Sequence, residues 1–152
     1  MSNSRHDEYM RLAIAEANKV PNFPFGAVIV HRHSGQVMAK GHNQVNDSPT
    51  FHGEIVTINR CASLHPATDW TELDLYTTAE PCPMCQSAIE WSGINNVYFG
   101  TSIPFLIELN WKQILIRAED VSKKTPFRAT TVTGGILEHE CNRLFEKINH
   151  PQ

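Results

Sequence analysis

The residue types best suited to chemistry fall in two short stretches, His52-Gly53-Glu54 and Pro81-Cys82-Pro83-Met84-Cys85. One imidazole and two thiolates are ligands that zinc prefers, and three protein ligands leave the fourth tetrahedral position open to water or substrate. Such a set describes a catalytic metal centre. Glu54, two residues after the histidine, can stay beside the metal as a proton carrier, because imidazole and thiolates already fill the protein's share of the coordination. Taken alone, a Cys-x-x-Cys pair also suits a redox protein or a structural zinc site, and a first-turn glutamate commonly complements a helix dipole. The spacing of His52 from Glu54 favours the catalytic reading. Cys61 sits far along the helix that begins with His52 and Cys141 in the closing helix, and both read as small buried hydrophobes rather than as a fourth ligand.

These groups need elements that bring two distant stretches together. Met10, Ala13, Ile14 and Ala17 recur at helical spacing, which predicts an amphipathic helix from Asp7 to about Lys19, ended by Val20-Pro21. Phe25 to Val30 is a continuous apolar run and predicts a strand covered on both faces. Ser34-Gly35 turns the chain into an antiparallel edge strand, Gln36 to Gly41, and Asn43 to Thr50 reads as a loop. Ile55, Ile58 and Ala62 share a helical face, so His52 and Glu54 fall in the first turn of a helix. Leu73 to Thr78 predicts a third strand. Pro81 and Pro83 end it and open a helix, about Met84 to Trp91, with both cysteines at its N-terminus, where thiolates are favoured. Asn96 to Gly100 and Ala129 to Thr133 read as the fourth and fifth strands. Ile103 to about Ile116 reads as an apolar helical connection. A closing helix carries Leu137, Cys141, Leu144 and Ile148 on one face. Strands alternating with helices from Leu73 onward predict an α/β fold, a three-layer α/β/α sandwich.

At 152 residues the chain suits one domain, 1–152, with one core. Four cysteines, two of them in the metal-like cluster, argue against a disulfide scaffold. No stretch reads as a signal sequence or a membrane span, so the expected compartment is the cytoplasm and no membrane partner is expected. With a formal net charge of −3 there is no excess of the lysine and arginine that grip phosphate backbones, and nucleic acid is not the expected partner.

The two stretches match the His-x-Glu…Pro-Cys-x-x-Cys signature of zinc-dependent nucleobase deaminases, whose glutamate binds no metal. The chain thereby resembles the cytidine deaminase-like superfamily. Phe25-Gly26-Ala27-Val28, the Asn43 loop, Glu80 to Cys85 and Thr133-Gly134-Gly135-Ile136-Leu137 follow in the family's order. The tight cysteine pair is similar to the branch holding bacterial guanine deaminases, yeast-type cytosine deaminases and tRNA adenosine deaminases. The resemblance implies a central five-stranded mixed sheet and Zn2+ at His52, Cys82 and Cys85. It further implies Glu54 as general acid and base, a nucleobase as partner, and a homodimer. By the same likeness Asn43 hydrogen-bonds the base; Phe25 and Trp91 either stack on it or fill the core, and backbone N–H groups near Gly53 and Cys82, at helix starts, are placed to position the water. Trp91 and Glu80 to Cys85 are similar to guanine deaminases, which makes guanine the first expected substrate. The acid those enzymes use to read the guanine edge has no clear match here; Gln113 falls near it and Glu108 is the nearest acid. Gly53 is shared with yeast-type cytosine deaminases and keeps cytosine or a nucleoside open. A tRNA adenosine deaminase is the second expectation, and a zinc-stabilised scaffold without turnover the third.

Overall fold

A computed structural model describes residues 3–146. Its elements run α1 (Asn3–Ala17), β1 (Gly26–His31), β2 (Val37–His42), α2 (Gly53–Leu64), β3 (Leu73–Ala79), α3 (Pro83–Ser92), β4 (Asn96–Thr101), α4 (Ile103–Glu108), α5 (Ala118–Lys123), β5 (Thr131–Thr133) and α6 (Glu138–Glu146). The five strands form one sheet in the order β2-β1-β3-β4-β5. β1 pairs antiparallel with β2 and β3, whereas β3, β4 and β5 run parallel, so the sheet is mixed.

Alternation along β1 explains why the sheet is covered twice. Ala27 and Ile29 pack on one face with Leu73 and Leu75 of β3, Cys61 of α2 and Ile89 of α3. Val28 and Val30 pack on the other with Tyr76, Met10 and Ala13 of α1 and Cys141 of α6. A strand whose neighbouring side chains point to opposite faces must be apolar throughout when both faces are buried. The α/β/α sandwich follows.

The differences from the sequence expectations have local causes. α1 begins at Asn3 rather than Asp7. β5 is limited to Thr131–Thr133, because Thr130 turns away from the ladder: its N–H donates to Glu90 Oε1 at 2.8 Å and its hydroxyl to Ile94 O at 2.7 Å. The segment from 103 to 116 is no continuous helix. α4 stops at Glu108, Asn110 takes a left-handed φ of 69°, and an irregular stretch leads to α5, which the sequence reading did not foresee. In α6 the buried residues are Cys141 and Phe145, and Ile148 lies outside the described residues. No helix among the described residues is long and apolar enough to cross a membrane.

Candidate metal centre and active site

Both metal-bearing stretches end up at helix starts for the same reason. His52 is the N-cap of α2 and Cys82 the N-cap of α3; each has extended backbone, with φ of −66° and −64°. Each uses its carbonyl for the first helical hydrogen bond, from Val56 N at 3.0 Å and Gln86 N at 2.8 Å. Neither side chain caps its own helix. An N-cap residue usually spends its side chain on the free N–H groups of the first turn; here the imidazole and the thiol turn to each other instead. Pro83 at the start of α3 has no N–H to satisfy and a φ already suited to the helix.

His52 Nδ1 lies 3.6 Å from Cys82 Sγ and 3.6 Å from Cys85 Sγ. All three ligand atoms fall within 4.8 Å of one another. Zinc–nitrogen and zinc–sulfur bonds of ordinary length at a tetrahedral angle put the two atoms about 3.6 Å apart, so the spacing fits the ion. All four cysteines are free thiols, and no disulfide competes for Cys82 and Cys85. His52, Cys82 and Cys85 could hold zinc with one position left over.

Charge follows the same geometry. Hydrogen bonds from Cys85 and His52 outweigh burial and push the Cys82 thiol down to about 4. The bond to Cys82, together with burial, holds Cys85 up. The bond to Cys82 raises His52 against the effect of burial, with help from Glu54. Glu54 is 5% exposed, and burial plus the charge of Cys82 pushes it up to about 7. A divalent cation among the ligands would favour both thiolates and the carboxylate.

The cluster opens into a cavity of about 320 Å3 lined by Phe23, Phe25, Asn43, Val45, His52, Glu54, Glu80, Cys82, Trp111, Lys112 and Gln113. Of the residues expected from the sequence, His52, Glu54, Cys82, Phe25 and Asn43 are in this wall, and Cys85 lies behind it. Asn43 Oδ1 accepts from Val45 N at 3.1 Å, which leaves its amide N–H groups for a ligand. Phe25 meets Trp111 edge to face at 5.5 Å. Gly53 is not in the wall; it is buried, and a Cβ there would meet Phe25 O at 2.8 Å, so its role is to let α2 approach β1.

Trp91 is outside the cavity. It is 78% exposed, packs on Phe127 at 5.0 Å, and lines a separate cavity with Ile116 and Pro126. Eight residues of helix carry it about 12 Å beyond Pro83, too far along α3 to turn back over the ligands. The expectation that it stacks on substrate is corrected accordingly. Glu108 is also outside the wall, whereas Gln113 is in it. Trp111, Phe23 and Lys112 escaped the sequence reading. An aromatic residue just after Asn110 was the available signal, masked by the helical reading of its segment.

The comparisons with known proteins agree with this site. Residues 3–101 match the family model described as the cytidine and deoxycytidylate deaminase zinc-binding region. The chain is 32% identical over 150 residues to the guanine deaminase of Bacillus subtilis, covering 92% of this chain and 95% of that protein. It is 30% identical over 156 residues to the chloroplastic tRNA(adenine(34)) deaminase of Arabidopsis thaliana, covering 92% of this chain but only 12% of that much longer protein. A solved structure of the guanine deaminase from Nitrosomonas europaea superposes with a TM-score of 0.78 at 24% identity, covering 97% of this chain and 84% of that one; at that identity the likeness shows the fold. With a family match over well over half its length, around a ligand set fit for zinc, the chain belongs to the cytidine and deoxycytidylate deaminase family of zinc-binding hydrolytic deaminases.

Proposed function

We propose that this family member removes the exocyclic amine of a free nucleobase, with guanine first among the substrates. The observation that carries the reading is the cavity above His52, Cys82 and Glu54. Three aromatic side chains, Phe23, Phe25 and Trp111, line it, and its other polar lining is Asn43, Glu80, Lys112 and Gln113. Flat apolar walls with a few placed polar groups suit a single heterocycle.

Zinc, when bound, supplies a Lewis acid that acidifies the attacking water toward neutral pH. The chain's own part is proton transfer. Glu54 takes a proton from the water and passes it to the ring nitrogen beside the attacked carbon, which makes that carbon more electrophilic. It then takes the remaining proton of the attached hydroxyl and delivers it to the amine, so that ammonia leaves and the ring carbon keeps the oxygen as a carbonyl. Water is consumed, one carbon–nitrogen bond breaks, and one carbon–oxygen bond forms.

The donors support an oxo base. Glu80 is engaged by chain donors, so the groups left for the far edge are the Asn43 amide N–H groups, the Lys112 ammonium and the Gln113 amide. With the amine-bearing carbon of guanine at the centre, its far edge presents the O6 and N7 acceptors. Cytosine also carries an oxo group; adenine carries none. A second reading, tRNA adenosine deamination, is favoured by the 30% identity to an enzyme of that name. We also propose a homodimer, supported by exposed apolar side chains at Trp91, Ile116 and Phe127.

Zinc-loaded protein assayed for ammonia against guanine, cytosine, adenine, 2,6-diaminopurine and an adenosine-34 anticodon stem-loop tests the reading. Guanine turns over best, and exchanging O6 for an amine lowers kcat/KM by about tenfold or more. Inosine in the stem-loop with no ammonia from any free base would replace this reading with the second one.

A further inference from the structure

Glu80 lies in the cavity wall two residues before Cys82, yet it is only 3% exposed. A buried carboxylate must be matched by donors to be tolerated, and the donors found here come from one segment. Oε1 accepts from Ile103 N at 2.9 Å and from Arg117 Nε at 3.0 Å. Oε2 accepts from Ala118 N at 2.9 Å and from Arg117 Nε at 2.9 Å. Glu80 is itself fixed to the sheet, its N–H donating to Thr101 O at 2.7 Å.

Ile103 is the first residue of α4 and Ala118 the first of α5, so one carboxylate closes the neck of the whole excursion between them. That excursion carries Trp111, Lys112 and Gln113 into the cavity. Within it Ile103, Leu106 and Trp111 are buried, Trp111 against Phe25 and Phe145 with its indole N–H donating to Phe145 O at 3.4 Å, whereas Ile114, Leu115 and Ile116 are 60%, 73% and 45% exposed. The stretch from Lys112 to Ile116 therefore takes its position from its two ends, Trp111 on one side and the Glu80 tie to Arg117 and Ala118 on the other.

We propose that Glu80 is a positioning residue for substrate recognition, setting through Ile103, Arg117 and Ala118 where Trp111, Lys112 and Gln113 meet the base. It touches no reacting atom. The inference rests on the nucleobase reading only for its kinetic arm; the placement of the segment can be read without a substrate.

The test compares Glu80→Gln and Arg117→Gln with the wild type as zinc-loaded proteins. In Glu80→Gln an amide N–H2 faces donors that need an acceptor. Zinc per chain stays the same, hydrogen exchange of the amides in 109–116 speeds up about tenfold or more, and KM for the base turned over by the wild type rises about 10- to 100-fold with kcat within about threefold. Arg117→Gln alters a half-exposed side chain, leaves the two backbone donors in place, and shifts exchange and KM the same way by less. Unchanged exchange and KM in both variants would overturn the proposal. So would loss of zinc or a collapse of kcat at constant KM, which would make Glu80 a support of the ligands. If the wild type turns over no base, the nucleobase reading fails while exchange and zinc content still decide the role of Glu80.

Discussion

Cys82 Sγ stands 3.6 Å from His52 Nδ1, one at the foot of α3 and the other at the foot of α2, across 30 residues of sequence. Two N-caps that leave their own helices uncapped and face each other give a site whose formation depends on both helix starts. A bound ion therefore adds to folding stability. Removing zinc with a chelator lowers the melting temperature by on the order of 5–10 °C, the shift expected when free metal stood about a hundredfold above its dissociation constant. Cys85→Ser gives the same low value with or without added zinc. Scanning calorimetry checks both, and a melting temperature indifferent to chelation would speak against a metal held by these ligands.

Glu54 is the proton carrier of the proposed reaction and contributes no ligand atom. Glu54→Gln keeps zinc at one per chain and lowers kcat by about 10^2- to 10^4-fold. Metal analysis alongside steady-state kinetics separates the two effects. Loss of zinc in this variant would make Glu54 a ligand instead.

Gly53 lets α2 sit against β1, since a Cβ there would come within 2.8 Å of Phe25 O. Gly53→Ala forces the two apart and destabilises the fold by about 1–3 kcal/mol. It also weakens zinc binding, because His52 is the adjacent residue. Urea unfolding and a zinc competition assay measure the two consequences.

Glu16 is buried on α1, between Lys19 at 2.6 Å and His42 at 3.0 Å. Burial pushes its carboxyl up, but these partners outweigh it and hold it below the ordinary value of 4.5. A carboxyl depressed in the folded state contributes stability above its ordinary value and loses that contribution as pH falls through the folded value. Glu16→Gln thus costs about 1–2 kcal/mol at pH 7, and its deficit against wild type shrinks as pH falls below 4.5 and through the lowered folded value. A deficit independent of pH would assign the effect to packing. His42 precedes Asn43, so the same tie steadies an amide of the cavity wall.

Trp91 packs on Phe127 outside the cavity. Trp91→Ser leaves KM within about twofold, as for a surface change remote from the substrate, while sedimentation velocity shows a shift toward monomer. A tenfold rise in KM would return Trp91 to the binding surface.

The grouping of His52, Cys82 and Cys85 beside Glu54 was legible because short spacings near helix starts carry it: His52 to Glu54 spans two residues, Cys82 to Cys85 three, and proline marks where α3 begins. β1 was legible because a strand buried on both faces has no polar positions. The wall formed by Trp111, Lys112 and Gln113 was not. Ile103, Leu106, Ile107 and Leu109 mimic a continuing helix, and only the left-handed Asn110 shows that the segment breaks. Trp91 misled for a related reason, since a residue near the motif in sequence is carried away from it by the rise of the helix. The resemblance supplied the mixed sheet and the zinc, and the family match over residues 3–101 agrees with both.

X-ray absorption at the zinc edge of the purified protein tests the centre most directly. Two sulfurs at about 2.3 Å and two nitrogen or oxygen neighbours at about 2.0–2.1 Å are expected, one of the light neighbours exchanging when a base analogue binds. Four protein ligands with no exchangeable neighbour, or a protein that takes up no zinc at all, would contradict the account.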